Sequence, residues 1–167
     1  MAMRQLESFG WWSYLELEMR ELIKQSNDLI EQEIKRRDEL KREVYRDYSF
    51  IVFPAAKAYE GFLKKLFLDL KLISRQQYFG EHFRIGRALS PTLPKRYRSG
   101  WVYGKLIGSC EGEELPMKMW EVWKKGRNRV FHYFPNFFEA LSLDRACEIV
   151  TEIEDMMEEC LLGCRIK

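Results

Sequence analysis

The hydrophobic side chains in the first quarter of the chain recur at the spacing of a helix. Apolar residues lie mostly three, four or seven positions apart between about Leu6 and Arg46, in a segment without proline. This spacing predicts one long helix or two helices placed end to end. Residues 31–43 offer only Ile34 and Leu40 to a core. We therefore expect this charged stretch to be solvated and to project from, or link to, the main body.

A second helix is predicted from the stretch DYSFIVFP, residues 47–54, to about Ile73. Asp47 or Ser49 is suited to cap its first turn, and Pro54 suits either that turn or a kink. At about 100° per residue, apolar side chains fall on one arc and lysines on another, so we expect a core helix with a lysine edge. The apolar arc holds Ala56, Tyr59, Leu63, Phe67 and Leu70, and the edge holds Lys57, Lys64 and Lys71.

The rest of the chain shows shorter helical patterns and almost no strand signal. Ser74 is placed to cap a helix over residues 75–89, and residues 90–100 are typical of a basic loop. The fold class is therefore expected to be all-α, a bundle of about five helices over residues 47–167 with a long N-terminal helical extension over residues 1–46. The remaining helices are predicted near residues 101–110, from about Met117 to Tyr133 and from about Asp144 to Leu162.

Composition places the chain among globular proteins. Its 167 residues suffice for one ordinary domain. Since 28 Lys and Arg residues stand against 26 Asp and Glu residues, the bulk charge gives no argument for nucleic-acid binding, and only a local basic patch could supply one. No apolar run reaches the roughly 18 residues of a membrane span, and the N-terminus lacks the apolar core of a signal peptide. We expect no membrane association and a cytoplasmic location.

The four cysteines, Cys110, Cys147, Cys160 and Cys164, show no pattern of a metal site. They form no C-x2-C pair, and no histidine lies beside the C-x3-C spacing of the last two. Free buried thiols are therefore favoured over metal ligands. We expect no metal ion and no other cofactor.

The stretch KKGRNRVFHYFP, residues 124–135, combines basic residues, a histidine and aromatic residues. On an ideal helix Arg127 falls near the middle of an apolar arc, where a buried guanidinium requires an anion from the protein or from a ligand. Asn128 and His132, four residues apart, share a neighbouring polar face. Pro135 disfavours helical geometry at the residue before it, so the helix is expected to fray just past His132. The apolar arc holds Trp120, Trp123, Val130, Phe131 and Phe134.

Two interpretations of this stretch are open at this point. Arginine, asparagine and an imidazole at a helix end are suited to phosphate chemistry, because the guanidinium binds phosphoryl oxygens and the imidazole exchanges protons near neutral pH. Alternatively, His132 is an ordinary capping or partly buried histidine, and Arg127 is half of a core salt bridge.

The residues RNRVFH, 127–132, in a helical domain resemble the R-N-x3-H form of the motif of HEPN-superfamily ribonucleases. Residues 47–67 resemble a helix of the RnlA/LsoA-type phage-defence toxins, whose C-terminal HEPN domain carries their activity. Together these similarities span roughly residues 45–162. The resemblance implies an HEPN-like bundle and a metal-independent RNA endonuclease, in which the 2′-hydroxyl attacks the adjacent phosphorus and leaves a 2′,3′-cyclic phosphate.

The resemblance also implies roles for individual residues. His132 would be the general acid or base, and Arg127 would stabilise charge that develops on the phosphoryl oxygens. Glu60 would match the acidic residue of the preceding helix, although an ordinary surface pair with Lys64 would also account for it. If Glu60 meets Arg127 across the helix pair, it would hold the guanidinium in place. Supporting roles, in orienting the histidine or phosphate and in lining the cleft, fall to Asn128 and Tyr133.

Partners follow from the same resemblance. HEPN ribonucleases place two copies of the motif across a dimer interface, which implies a homodimer with a composite site for RNA. Lys95, Arg96 and Arg98 would contact flanking RNA, although this loop is also typical of a solvated turn. The toxins controlled by adenylylation carry tyrosine two residues after the histidine, where this chain has Phe134. A protein antitoxin that masks the cleft is therefore the expected regulator.

Two hypotheses from other classes stay open. The same cleft would also serve a non-catalytic HEPN-like helical module that binds a nucleotide, RNA or a partner protein. A structural helical adaptor, in which Arg127 forms a core ion pair, is the third reading. Loss of stability without any RNA binding in an Arg127→Ala variant would favour that adaptor.

Overall fold

The computed structural model of the protein describes residues 4–98, 100–110, 112–132, 135 and 140–166, without the side chains of residues 128 and 129. These residues form helices and turns and contain no β-strand, which confirms the predicted all-α class. No helix in this part of the chain is long and apolar enough to cross a membrane. The α-helices within these ranges are α1 (Gly10–Tyr14), α2 (Leu17–Leu40), α3 (Ser49–Asp69), α4 (Arg75–Phe79), α5 (Ile85–Ala88), α6 (Tyr103–Ser109), α7 (Glu114–Trp123) and α8 (Leu143–Gly163). The other helical segments are the 3-10 turns Leu6–Ser8 and Lys95–Tyr97 and the π-helical segment Lys124–Arg129.

The N-terminal pattern folds as two helices of unequal length, one of the two predicted alternatives. The short α1 is followed by an extended Leu15, and the long α2 ends where Lys41 takes a left-handed φ of 55°. The charged half of α2 is largely exposed, but it lies along the body, and the prediction that it projects or serves as a link is wrong. Ile34 packs against the core, and Arg37 pairs with Asp144 of α8 over 2.7 Å.

The centre of the fold is α3, which packs against both α2 and α8. Its predicted apolar arc is buried except for Leu70, which is partly buried just past the helix. The helix ends before the predicted Ile73, and Lys71 takes a left-handed φ of 59° just past the helix end. Met19 and Ile23 of α2 belong to the same core. The division into an extension and a domain at residue 46 stays a prediction.

Pro54 lies inside α3, and a serine of α2 replaces the helical hydrogen bond next to it. The Ser26 hydroxyl donates to the Ile51 carbonyl over 2.8 Å and accepts from the Ala55 amide over 2.9 Å. These two backbone groups would otherwise bond to each other as the i and i+4 partners of an α-helix. Ser26 is fully buried, so its insertion satisfies both groups at the proline. The N-cap residue of α3 is Tyr48, which makes no side-chain cap, and Asp47 just before it accepts from the Ser49 amide over 3.0 Å.

The segment after α3 contains short helices instead of one. Ser74 caps α4 in a capping box with Gln77, which confirms the predicted cap. The predicted helix over residues 75–89 is interrupted, because Gly80 takes an extended conformation with φ −81° and ψ 149°. At the other end of the chain, Ser142 caps α8.

Two of the cysteines form a disulfide, so the prediction of four free thiols is wrong for this pair. Cys110, just after α6, bonds to Cys164, just after α8, across a sequence separation of 54. The Arg165 amide donates to the Ser109 carbonyl over 3.0 Å and holds the two segments together. The sequence spacing gives no sign of this contact, which packing of distant helix ends creates. Cys147 and Cys160 are free and buried, as predicted.

Candidate active site

The RNRVFH stretch begins in a segment where the α-helix widens. The sequence predicts a single helix to about Tyr133, but α7 ends at Trp123 and continues as the π-helical segment Lys124–Arg129. Gly126 is buried within this segment, and a Cβ atom there would lie 3.1 Å from Cδ1 of Ile153 in α8. The absence of a side chain lets the segment approach α8 closely.

The wider turns change which residue faces the core. On an ideal α-helix Arg127 occupies the middle of an apolar arc, whereas in the structure 43% of its side chain is exposed. The π-helical hydrogen-bond pattern spans one more residue than the α-helical pattern, so the phase of the predicted arc is lost after Trp123. The predicted core position of Arg127 is therefore wrong, and Gly126 takes the inward-facing position.

Arg127 nevertheless finds the anion that a partly buried guanidinium requires. Its Nε donates to Oε2 of Glu60 in α3 over 2.9 Å. The other carboxylate oxygen of Glu60 lies 3.5 Å from Nζ of Lys64, one turn along α3. The structure thus contains both contacts that the sequence suggests for Glu60, the cross-helix pair with Arg127 and the local pair with Lys64. The carboxylate sits between two cations and orients the guanidinium.

This ion pair borders an open groove of about 380 Å³ between α3 and the end of the π-helical segment. Lys57 and Lys64 add two cations to its wall. Phe53, 53% exposed, meets Phe131 edge to face with ring centroids 5.3 Å apart. We call this the Arg127 groove; its lining residues are Phe53, Ala56, Lys57, Glu60, Gly61, Lys64, Arg127 and Phe131.

Four of these lining residues follow one face of α3, and of the four only Glu60 was among the site residues chosen from the sequence. Phe53, Lys57, Glu60 and Lys64 are spaced four, three and four residues apart, so one helix face brings them together. Lys57 and Lys64 were recognisable as a lysine edge. That this edge faces Arg127 depends on how α3 packs against the π-helical segment, which no local pattern contains.

His132 lies just past the helical run and is exposed. The run ends at Arg129, three residues before His132, and the amide of Phe131 still bonds to the Arg127 carbonyl over 3.2 Å. The helix thus ends somewhat earlier than the predicted fraying point. His132 is not among the residues that line the Arg127 groove. Tyr133 and the side chain of Asn128 lie outside the described part of the chain, so their predicted supporting roles stay predictions.

The predicted basic loop is ordered by its own arginines. Arg98 donates to the Leu93 carbonyl over 2.9 Å and stacks over Trp101, with its guanidinium carbon 4.2 Å from the ring centroid. Arg96 stacks over Tyr97 at 4.7 Å, and both Lys95 and Arg96 are exposed. Arg98 therefore shapes the loop, while Lys95 and Arg96 present charge to solvent.

A wider basic surface surrounds this loop, and sequence reasoning overlooked it. Residues 71–105 contain eight Lys and Arg residues and one acidic residue, Glu81, within a chain whose net charge is only +2. Arg87 of α5 donates to the Tyr97 carbonyl over 3.4 Å and joins the loop to α5. A Cβ at Gly86 of α5 would lie 2.5 Å from the ring of Trp123, so α5 abuts the end of α7. Counting charge in windows along the chain would have revealed this segregation.

The described residues form an all-α fold with a cationic and aromatic groove. They contain no group of three or more His, Cys, Asp or Glu side chains placed to hold a metal ion. Comparisons with models of known families, with curated proteins and with solved structures found no match to this chain.

Proposed function

We propose that the protein is a metal-independent RNA endonuclease of the toxin or phage-defence type. The observation that carries the proposal is the guanidinium of Arg127, which Glu60 holds over 2.9 Å at the edge of an open groove. A guanidinium binds the non-bridging oxygens of a phosphodiester and stays charged throughout a reaction. Lys57 and Lys64 add positive charge for the flanking phosphates, and Phe53 offers an exposed ring on which a base stacks.

In the proposed reaction the 2′-oxygen of the substrate attacks the adjacent phosphorus and the bond from phosphorus to the 5′-oxygen breaks. One histidine removes the proton of the 2′-hydroxyl, and a second histidine protonates the departing 5′-oxygen. The products are a 2′,3′-cyclic phosphate and a 5′-hydroxyl. Arg127 stabilises the charge that builds up on the phosphoryl oxygens, and Glu60 acts as a positioning residue for Arg127.

The proposal includes a symmetric homodimer, because the proposed reaction uses two histidines and the RNRVFH stretch of one chain contains one, His132. His132 does not line the Arg127 groove of its own chain. A two-fold related copy would bring a second His132 and a second Arg127 to the same cleft. In this arrangement Asn128 and Tyr133 also belong to the cleft, and Lys95, Arg96 and Arg98 contact flanking RNA. A protein antitoxin that covers the cleft would restrain the activity.

Cleavage of a single-stranded RNA in the presence of EDTA tests the proposal. We expect the parent protein to cut the RNA and Arg127→Ala and His132→Ala to lose activity by at least about a hundredfold. His82 is exposed and is the other histidine of the chain, so His82→Ala serves as the matched control and should cut like the parent. Undiminished cleavage in both site variants would refute the proposed mechanism.

A second candidate function is supported by the same ion pair. Because Glu60 already neutralises Arg127 within one chain, the groove also suits a non-catalytic module that binds RNA, a nucleotide or a partner protein. Such a module would bind the RNA through the lysines and aromatic rings without cutting it. Tight binding by a dimer that never produces cyclic-phosphate ends would favour this candidate over the endonuclease.

A further inference from the structure

A second groove, larger than the Arg127 groove and sharing no residue with it, lies between the N-terminal residues, α2 and α8. Its volume is about 710 Å³, and its apolar surface is formed by Leu6, Ile30, Ile34 and Val150. Leu6 and Val150 are buried, whereas Ile30 and Ile34 are partly exposed. We call this the α2–α8 groove.

The shape of the α2–α8 groove suits a helix. Its lining residues on α2 run from Lys24 to Glu39, which corresponds to about 22 Å of α-helix. Ile30 and Ile34 are four residues apart and form a short apolar strip, about 6 Å long, near the middle of this length. Two adjacent helices with such a strip leave a furrow into which a third helix fits, with its own apolar side chains at helical spacing.

The rim of this groove carries unmatched negative charge. Five exposed carboxylates, those of Glu7, Asp28, Glu31, Asp38 and Glu39, line it, and none forms an ion pair with another described residue.

The three cations of the lining offset this charge only in part. Arg4 is engaged with Glu154 and Asp155, and Lys24 lies 3.9 Å from Glu21. Lys35 is the remaining cation of the lining, and Arg37 beside the lining is shared between Asp144 and the rim residue Asp38. The groove thus combines an apolar floor with an acidic rim.

We propose that the α2–α8 groove binds a basic amphipathic helix of a partner protein. The partner's apolar side chains would pack on the partly exposed Ile30 and Ile34, and its lysines or arginines would pair with the rim carboxylates. Charge complementarity selects this occupant, since an acidic helix would meet repulsion along the whole rim. This proposal is independent of the proposed RNA cleavage, because the two grooves have no residue in common.

Binding of two synthetic peptides to the full-length protein tests the proposal. Both peptides have about 16 residues with leucines at helical spacing, and their polar positions are all lysine in one and all glutamate in the other. Fluorescence anisotropy at physiological salt should show that the Leu/Lys peptide binds at least about tenfold more tightly than the Leu/Glu peptide. Equal affinity of the two peptides, or no binding of the Leu/Lys peptide, would overturn the proposal.

A pair of matched charge variants locates the binding. Glu31→Lys with Asp38→Lys reverses two rim charges and should weaken the Leu/Lys peptide at least about tenfold. Glu18→Lys with Glu81→Lys makes the same change of net charge at exposed positions that do not line the groove, and should leave the affinity within about twofold. Equal losses in the two double variants would place binding elsewhere and contradict the inference.

Discussion

The guanidinium of Arg127 donates a hydrogen bond from Nε to Oε2 of Glu60 over 2.9 Å and thereby connects the π-helical segment to the central helix α3. With 43% and 25% of the two side chains exposed, the pair is open to solvent on one side. A pair of this kind contributes little to folding, about 0 to 1 kcal/mol, because water screens it. Its more direct consequence is the fixed orientation of the guanidinium at the groove.

Replacing Glu60 with glutamine tests whether this orientation matters for the reaction. We expect Glu60→Gln to lower kcat for RNA cleavage by about tenfold, because a neutral amide holds the guanidinium less firmly. The KM should stay the same or fall, since the groove loses a negative charge. Glu121→Gln, which alters an exposed pair with Lys124 on the same helical run, is the control. Equal activity of the two variants would show that Glu60 has no positioning role.

The Arg127–Glu60 contact was predictable in outline, because an arginine on a partly apolar face needs an anion and Glu60 lies on the neighbouring helix. The all-α class and most of α3 and α8 were predictable, because their apolar residues recur at the spacing of a helix. The sequence does not reveal the π-helical segment, which comes with a close approach of Gly126 to Ile153 of the distant helix α8. The disulfide and the position of Lys57 and Lys64 in the same groove as Arg127 also arise from contacts between distant segments.

Gly126 offers a test of how the π-helical segment positions Arg127. A methyl group at Gly126 would lie 3.1 Å from Ile153 Cδ1, so Gly126→Ala should push the segment away from α8. We expect a loss of about 1 to 3 kcal/mol in the free energy of unfolding and a marked loss of RNA cleavage. Adding Ile153→Val removes the Cδ1 atom and should restore much of both. Failure of the double variant to recover either property would contradict this account of the segment.

The Ser26 hydroxyl that bridges Ile51 and Ala55 should contribute strongly to stability. Ser26→Ala leaves a buried carbonyl and a buried amide without partners beside Pro54, and we expect urea unfolding to show a loss of about 1 to 3 kcal/mol per unsatisfied group. Ser13→Ala removes an exposed hydroxyl and should change stability by less than about 0.5 kcal/mol. In a Pro54→Ala background the proline ring no longer opens the helix, so the Ala55 amide can bond directly to the Ile51 carbonyl. Ser26→Ala should therefore cost less stability there. An equal cost in both backgrounds would refute the bridging role.

The Cys110–Cys164 disulfide should stabilise the closure of α6 onto α8. Its sequence separation of 54 corresponds to about 4 kcal/mol of loop-closure free energy in the chain-entropy account. Reducing agent should therefore lower the Tm of the parent but not that of a Cys110→Ala/Cys164→Ala variant. Titration of the denatured, unreduced protein should count two thiols, and a count of four would contradict the disulfide.

Oxidising compartments favour such bonds, so the cytoplasmic location stays a prediction.

The most direct test of the endonuclease proposal is the chemistry of the cut itself. The first step maps one position at which the purified protein cuts an RNA in EDTA. The same RNA is then made with a 2′-O-methyl group on the nucleotide 5′ to that position, which removes the attacking 2′-hydroxyl. We expect the parent protein to leave 2′,3′-cyclic phosphate ends on the unmodified RNA. We also expect the parent protein not to cut the methylated RNA, and His132→Ala not to cut either RNA. Cutting of the methylated RNA at the same position, or by His132→Ala at the parent rate, would contradict the proposal.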